Sequence, residues 1–238
     1  MIKDLDFSPD GRFLVSCSYD NTVRIWRMRD GFSKLLDLED ENAYSLWCVK
    51  FNPDGRYIAV GNYDGMLRIW NVRTSQLVGK WTHGKYVRSV VFTPDGKGLV
   101  SGSMDGTWKY WDISLLKLSE PGYGMTKGST TAQKIELVAS SYAVRPSHQF
   151  LLNSPFYRAP FFLQNNVRSI ATSPGGQWVV SGSGDCAVRI WDLHNGALEC
   201  TMTGHKNCVS LVDFCPTGSY LASGSGDGSV ALWKYEAA

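Results

Sequence analysis

Ser223, His205 and Asp227 carry the residue types of a nucleophile, a general base and its orienting carboxylate. Gly182-Ser183-Gly184-Asp185 and Gly224-Ser225-Gly226-Asp227-Gly228 have the glycine density of a phosphate-cradling loop. Cys208 and Cys215 could pair as redox thiols, and Arg24, Arg68, Lys109 and Arg189 could line up as a basic stripe for nucleic acid. Each chemistry meets an obstacle in the sequence itself. No helical pattern follows either Gly-Ser-Gly-Asp run, and the matching place elsewhere holds Tyr19, Tyr63 or Met104, so these are tight turns. Both cysteines lie in or beside strands, where a thiol serves as a small buried hydrophobe. The basic residues alternate with apolar ones and read as solvated faces, with no interleaved aromatic platform for single strands. Aspartates and tryptophans at fixed offsets recur along the whole chain, and residues that recur this way cannot all be catalytic.

The elements that would hold these residues are set by that recurrence. Five Pro-x-Gly turns start at Pro9, Pro53, Pro94, Pro174 and Pro216. Eleven residues after each proline comes an aspartate (Asp20, Asp64, Asp105, Asp185, Asp227), and six further on a tryptophan (Trp26, Trp70, Trp111, Trp191, Trp233). Seven residues before each proline an aliphatic residue opens an alternating run, as in Val87-Arg88-Ser89-Val90-Val91-Phe92. After the turn comes an apolar-then-small run, Leu99-Val100-Ser101-Gly102-Ser103, and a third run ends in the tryptophan. Proline presets φ and glycine accepts positive φ, which suits a hairpin turn. A fourth strand is implied by Leu77 to Trp81 and by Leu198 to Met202.

A four-stranded unit every 40 to 45 residues or so, closing on Trp-Asp, is a propeller blade. The chain resembles the WD-repeat family over nearly its whole length, which implies an all-β propeller of five explicit four-stranded blades, the last part of a seven-bladed ring. The closing pair stands as Trp111-Asp112 and Trp191-Asp192, and drifts to Trp26-Arg27, Trp70-Asn71 and Trp233-Lys234. The family's Gly-His pair is intact at Gly204-His205 and varied at Thr82-His83, whereas Asn42 and Leu163 stand at the matching places of the second and fourth copies. The resemblance therefore implies a His–Ser–Asp–Trp hydrogen-bond network in two blades, around His83 and His205, with the others leaning on aspartate and tryptophan alone. Val90 to Asp105 with Lys109 to Ser114, and the last copy from Gly204 onward, resemble blades of the fungal Tup-type general transcriptional corepressors.

From each tryptophan to the next proline the gaps are 27, 24, 63 and 25 residues. The long gap divides the chain into blades one to three (1–112), a linker or insertion (113–164) and blades four and five (165–238). The stretch reads as a long loop or insertion, against a degenerate blade, and the sharper hypothesis for 137–164 is an unspliced intron: its removal leaves 35 residues, and a Phe-rich stretch closing on Leu163-Gln164 is what a pyrimidine tract and splice acceptor would encode. Met1 falls just before a first strand and Lys234 to Ala238 just after a third, so the chain taken alone is expected to leave an open, aggregation-prone edge. Nor does it contain the Tup-type helical segment.

Composition narrows the partners. The 238 residues are 43% hydrophobic and 19% charged, with 24 glycines and nine tryptophans. A net charge of +2 without basic blocks argues against direct nucleic-acid or anionic-membrane binding. Met1 to Asp6 lacks the apolar core of a signal peptide, and no apolar run approaches the ~20 residues of a membrane span. Six cysteines without a C-x-x-C pair and four scattered histidines give no metal site, so neither metal nor cofactor is expected, and the setting is a reducing intracellular one.

By resemblance, three positions per blade look onto the propeller face: the residue before the aspartate and the two flanking the first strand's leading aliphatic. Three consecutive blades place Tyr19, Trp47, Tyr63, Tyr86, Arg88 and Met104 there, alongside Lys3, and the fourth adds Arg168. Tyr, Trp, Met and Arg are enriched at the cores of interfaces. The expectation is a non-enzymatic protein-interaction scaffold of Tup-like corepressor type, docking DNA-bound regulators, corepressor subunits or chromatin proteins in the nucleus, with no small-molecule substrate. An adaptor in signalling or ubiquitin-ligase assembly, with the same face and different cargo, is the alternative, and the cytoplasm is the alternative location.

Overall fold

A computed structural model of the chain describes residues 1–29, 33–39, 45–114, 137–140 and 166–234. Every element in it is a strand, and no helix among these residues is long and apolar enough to cross a membrane. Blade one is β1 (Ile2–Phe7), β2 (Phe13–Ser18), β3 (Thr22–Arg27) and β4 (Ser33–Glu39). Blade two is β5 (Leu46–Phe51), β6 (Tyr57–Asn62), β7 (Met66–Asn71) and β8 (Leu77–Thr82). Blade three has β9 (Val87–Phe92), β10 (Gly98–Ser103), β11 (Thr107–Asp112) and β12 (Leu137–Ser140). Blade four has β13 (Val167–Thr172), β14 (Trp178–Ser183), β15 (Val188–Asp192) and β16 (Leu198–Met202). Blade five is β17 (Val209–Phe214), β18 (Tyr220–Ser225) and β19 (Val230–Lys234). All pairings are antiparallel meanders in chain order, four sheets of four strands and a last sheet of three.

Each first turn closes the same way. Gly11, Gly55, Gly96, Gly176 and Gly218 sit at φ between 65° and 75°, where a Cβ would be strained. The residue before each proline caps the hairpin: Ser8 Oγ accepts the Phe13 amide at 2.9 Å and Asn52 Oδ1 that of Tyr57 at 2.8 Å. Cys215 Sγ takes the same role for Tyr220 at 3.1 Å.

The core lies between blades. One cluster joins Val15, Val23 and Ile25 of blade one to Val49, Phe51, Ile58 and Trp70 of blade two, and three similar clusters join the later neighbours. The inner strands β1, β5, β9, β13 and β17 stand side by side in that order around a channel. Side chains hand the strands on: the amides of Val49, Ile170 and Val212 donate to Asp4, Ser89 and Ser169 of the preceding blade at 3.0, 3.1 and 3.1 Å.

The outer strand of blade three departs from expectation. β12, Leu137–Ser140, is the start of the stretch that reads as an insertion, and it pairs along β11 from Thr107↔Ser140 to Tyr110↔Leu137. The rest of that stretch lies outside the described residues.

Candidate functional site

The channel mouth is built by one repeated backbone device. In every inner strand the register with its neighbour slips by one residue after the leading aliphatic: Ile2↔Ser18 is followed by Asp4↔Cys17, and Leu46↔Asn62 by Cys48↔Gly61. The same slip falls in β9, β13 and β17. A β-bulge leaves one residue unpaired and re-aims its side chain. The unpaired residues are Lys3, Trp47, Arg88, Arg168 and Ser210, one per blade. All five line the central channel, which encloses about 680 Å³.

Their side chains converge. Lys3 Nζ lies 3.9 Å from the Tyr19 ring centroid and 4.3 Å from that of Trp47. Arg88 places its guanidinium 4.2 Å from the same Trp47 ring. Tyr19 and Trp47 meet edge to face at 5.5 Å. One indole thus takes up two cations from flanking blades, a cation–π arrangement worth about 0.5–2 kcal/mol per contact. Tyr63 and Tyr86 stack beside it with centroids 3.6 Å apart, and the hydrogen bond between their hydroxyls, which holds the Tyr86 proton, pushes Tyr86 up. Burial lowers Arg88, and the neighbouring Arg168 cation adds to that. Arg168 Nε donates to Asn166 Oδ1 at 3.3 Å.

Of the seven face residues expected from sequence, Tyr19, Trp47 and Arg88 form one ring-and-cation cluster, Tyr63 and Tyr86 a stacked pair, and Arg168 lines the same channel as a charge that acts on Arg88. Met104 joins through its backbone, donating its amide to Tyr86 at 2.9 Å. The bulge itself is not written in residue types, because an unpaired residue is defined only against its partner strand. Lys3 is as central to the cluster as any of the seven.

The repeat network lies inside the blades. Trp111 Nε1 donates to Ser101 Oγ at 2.8 Å, and His83 Nδ1 lies 2.8 Å from the same oxygen, its Nε2 3.0 Å from Thr107 Oγ1 and 3.8 Å from Asp105. In blade five Trp233 Nε1 donates to Ser223 Oγ at 2.8 Å, His205 Nε2 is 2.8 Å from it, and His205 Nδ1 is 3.2 Å from Asp227. Ser223 is only 1% exposed, so its oxygen serves the strands it joins. Trp26 and Trp191 make the same indole bond, to Ser16 and Ser181 at 2.9 Å, while Trp70 packs in the apolar cluster between blades one and two.

The arginines require a correction. Arg68 and Arg189 do not lie on solvated faces: their side chains are 1% and 6% exposed and pair with Asp64 at 3.4 Å and Asp185 at 2.7 Å. Arg24 does the same with Asp20 at 3.0 Å. In blades one, two and four, therefore, the repeat aspartate holds an arginine four residues on, and in blades three and five a histidine reaches it. The aspartates do not act alone with tryptophan. Asp-x-x-x-Arg, present in those three copies, was the available signal.

Comparison with known proteins follows the same boundaries. The family profile described as WD domain, G-beta repeat matches residues 1–27, 34–71, 75–112, 160–192 and 196–234. Pleiotropic regulator 1 of Bos taurus is 32% identical over 84 residues, 35% of this chain and 16% of that protein. Transcriptional repressor rco-1 of Neurospora crassa is 46% identical over 43 residues, 18% of this chain and 7% of its own length. Ribosome biogenesis protein bop1-A of Xenopus laevis is 60% identical over 30 residues, 13% of this chain and 4% of that protein. The chain spans no more than 16% of the length of any of these three.

Proposed function

The chain belongs to the WD-repeat family, and on that footing we propose that it is a non-enzymatic scaffold that docks protein partners on its channel-mouth face, of Tup-like transcriptional corepressor type. The observation that carries the reading is the bulge-built cluster of Lys3, Tyr19, Trp47 and Arg88. A contiguous aromatic and cationic patch is what interface hot spots are made of, and among the described residues its four side chains make no hydrogen bond to the blade framework. The short match to a protein named a transcriptional repressor supports the corepressor type, and the partners it implies are DNA-bound regulators, corepressor subunits or chromatin proteins in the nucleus. The same proposal takes residues 1–112 and 165–238 as the two blade groups and 113–164 as the insertion between them.

Partner sets recovered with the chain and with its Trp47→Ala and Arg88→Ala variants test this. Transcription regulators or chromatin proteins recovered with the first and lost from both variants are the expected result. Ligase or signalling subunits lost in the same way would replace the corepressor type with an adaptor. Identical partner sets for all three chains would remove this face from the account.

A further inference from the structure

The channel mouth carries more positive charge than the described residues neutralise. Lys3, Arg88 and Arg168 come from three blades, and among the described residues none of them makes an ion pair. Lys50, deeper in the same lining, is satisfied by Asp6 at 3.2 Å. The two carboxylates of the lining do not answer the three cations. Asp4 already accepts the amides of Leu5 and Val49 at 2.9 and 3.0 Å, and Asp213 sits on the inner strand of blade five with no ion pair to any of them.

Two buried donors at the mouth also lack acceptors, Arg88 Nε and Trp47 Nε1. A buried N–H without a partner is costly, and near a cation the acceptor that recovers most is an anionic oxygen. Trp47 takes up Lys3 and Arg88, but the like charges of Arg88 and Arg168, brought together by separate bulges, repel one another. An incoming anion would gain from all three.

We propose that the channel mouth binds an acidic peptide segment, whose aspartate or glutamate carboxylates are held by Arg88 and Arg168 with Lys3 on the far side of Trp47. This rests on the docking function proposed above and names the chemistry of the docked segment. The observations favour a peptide over nucleic acid: the charge is confined to one spot of a chain with net charge +2, and a phosphate backbone needs a longer basic track.

A dye-labelled hexaglutamate peptide, titrated against the full chain and followed by fluorescence anisotropy, tests it. Saturable binding is expected, weakening as salt rises, with hexaglutamine showing none. Arg88→Ala and Arg168→Ala should each weaken hexaglutamate at least tenfold, and Arg88→Lys less than Arg88→Ala, with unchanged circular dichroism and melting temperature. Lys3→Ala supplies the same reading should Arg88→Ala fail to fold. Equal affinity in wild type and variants, or no binding by wild type, would overturn the proposal. So would preference for a phosphoserine peptide or a single-stranded oligonucleotide of equal charge. Partners captured through Trp47 without hexaglutamate binding would sink the acidic-segment claim and leave the docking function standing.

Discussion

Asp64 and Arg68 show how one carboxylate does two jobs in this repeat. Asp64 accepts the Met66 amide at 2.8 Å, closing the turn, and its other oxygen pairs with a buried guanidinium. Arg68→Ala removes the buried guanidinium from that carboxylate, and breaking a buried pair from one side costs more than the pair contributes. A loss of about 2–4 kcal/mol is expected in urea unfolding. Lys109→Ala, at the same place in a blade where histidine serves the aspartate, should cost under about 1 kcal/mol. Asp227 gives the matching pH effect. Bonds from the Ser229 hydroxyl, the Lys206 amide and His205 hold its carboxyl well below the ordinary 3.8. A carboxylate lowered by folding contributes its full stability above the ordinary value and loses it as pH falls toward the folded value. Melting temperature should therefore fall less steeply between about pH 4 and about pH 2 in Asp227→Asn than in wild type. The turn aspartates and tryptophans were legible in the sequence because hairpin chemistry fixes their offsets. The arginines were misread because alternation in a strand signals solvent only when one face is open, and in blades two and four neighbouring blades cover both.

At the scale of the element, the second strand of each blade carries a small residue where the next blade's inner strand crosses. A Cβ on Gly102 would stand 2.6 Å from Val167 Cγ1, and on Gly182 2.8 Å from Val209 Cγ1. The fifth copy of this position, Gly224, has nothing within 4 Å. Gly102→Ala should cost about 1–3 kcal/mol by overpacking, whereas Gly224→Ala should stay within about 0.5 kcal/mol, compared by thermal unfolding. The strands and their order could be read from the repeat, including the outer strands β8 and β16. The bulges could not, since the slip that frees Trp47 and Arg88 exists only in the register of two strands. Nor could β12, whose four residues lie far from the tryptophan that precedes them and carry no repeat signal.

Over the whole molecule, burial follows from having a neighbour on each side. Leu5 is 49% exposed, whereas Val49, Val90, Ile170 and Val212 at the same repeat position are at most 6% exposed. On the opposite flank Leu232 is 74% exposed and its counterpart Ile25 is fully buried. Ile25→Ala should therefore cost about 2–5 kcal/mol and Leu232→Ala under about 1 kcal/mol, although both sit one residue before the repeat tryptophan, Trp26 and Trp233. The sequence placed both as apolar strand residues, since periodicity reports the face of a strand and is silent on whether another sheet lies against it. The channel-mouth cluster belongs to this scale as well. No blade holds it alone: Lys3 and Tyr19 come from the first, Trp47 from the second and Arg88 from the third, so it exists only once the inner strands stand side by side.

Where partners touch the chain is the central claim, and photocrosslinking in cells measures it most directly. Benzoylphenylalanine replaces Tyr86 on the channel-mouth face in one chain and Glu199 on the exposed outer strand β16 in another. Adducts with partner proteins at position 86, and none at position 199, are what docking on this face predicts. Adducts at position 199 with none at position 86 would contradict it and move the binding surface to the outer edge of the blades.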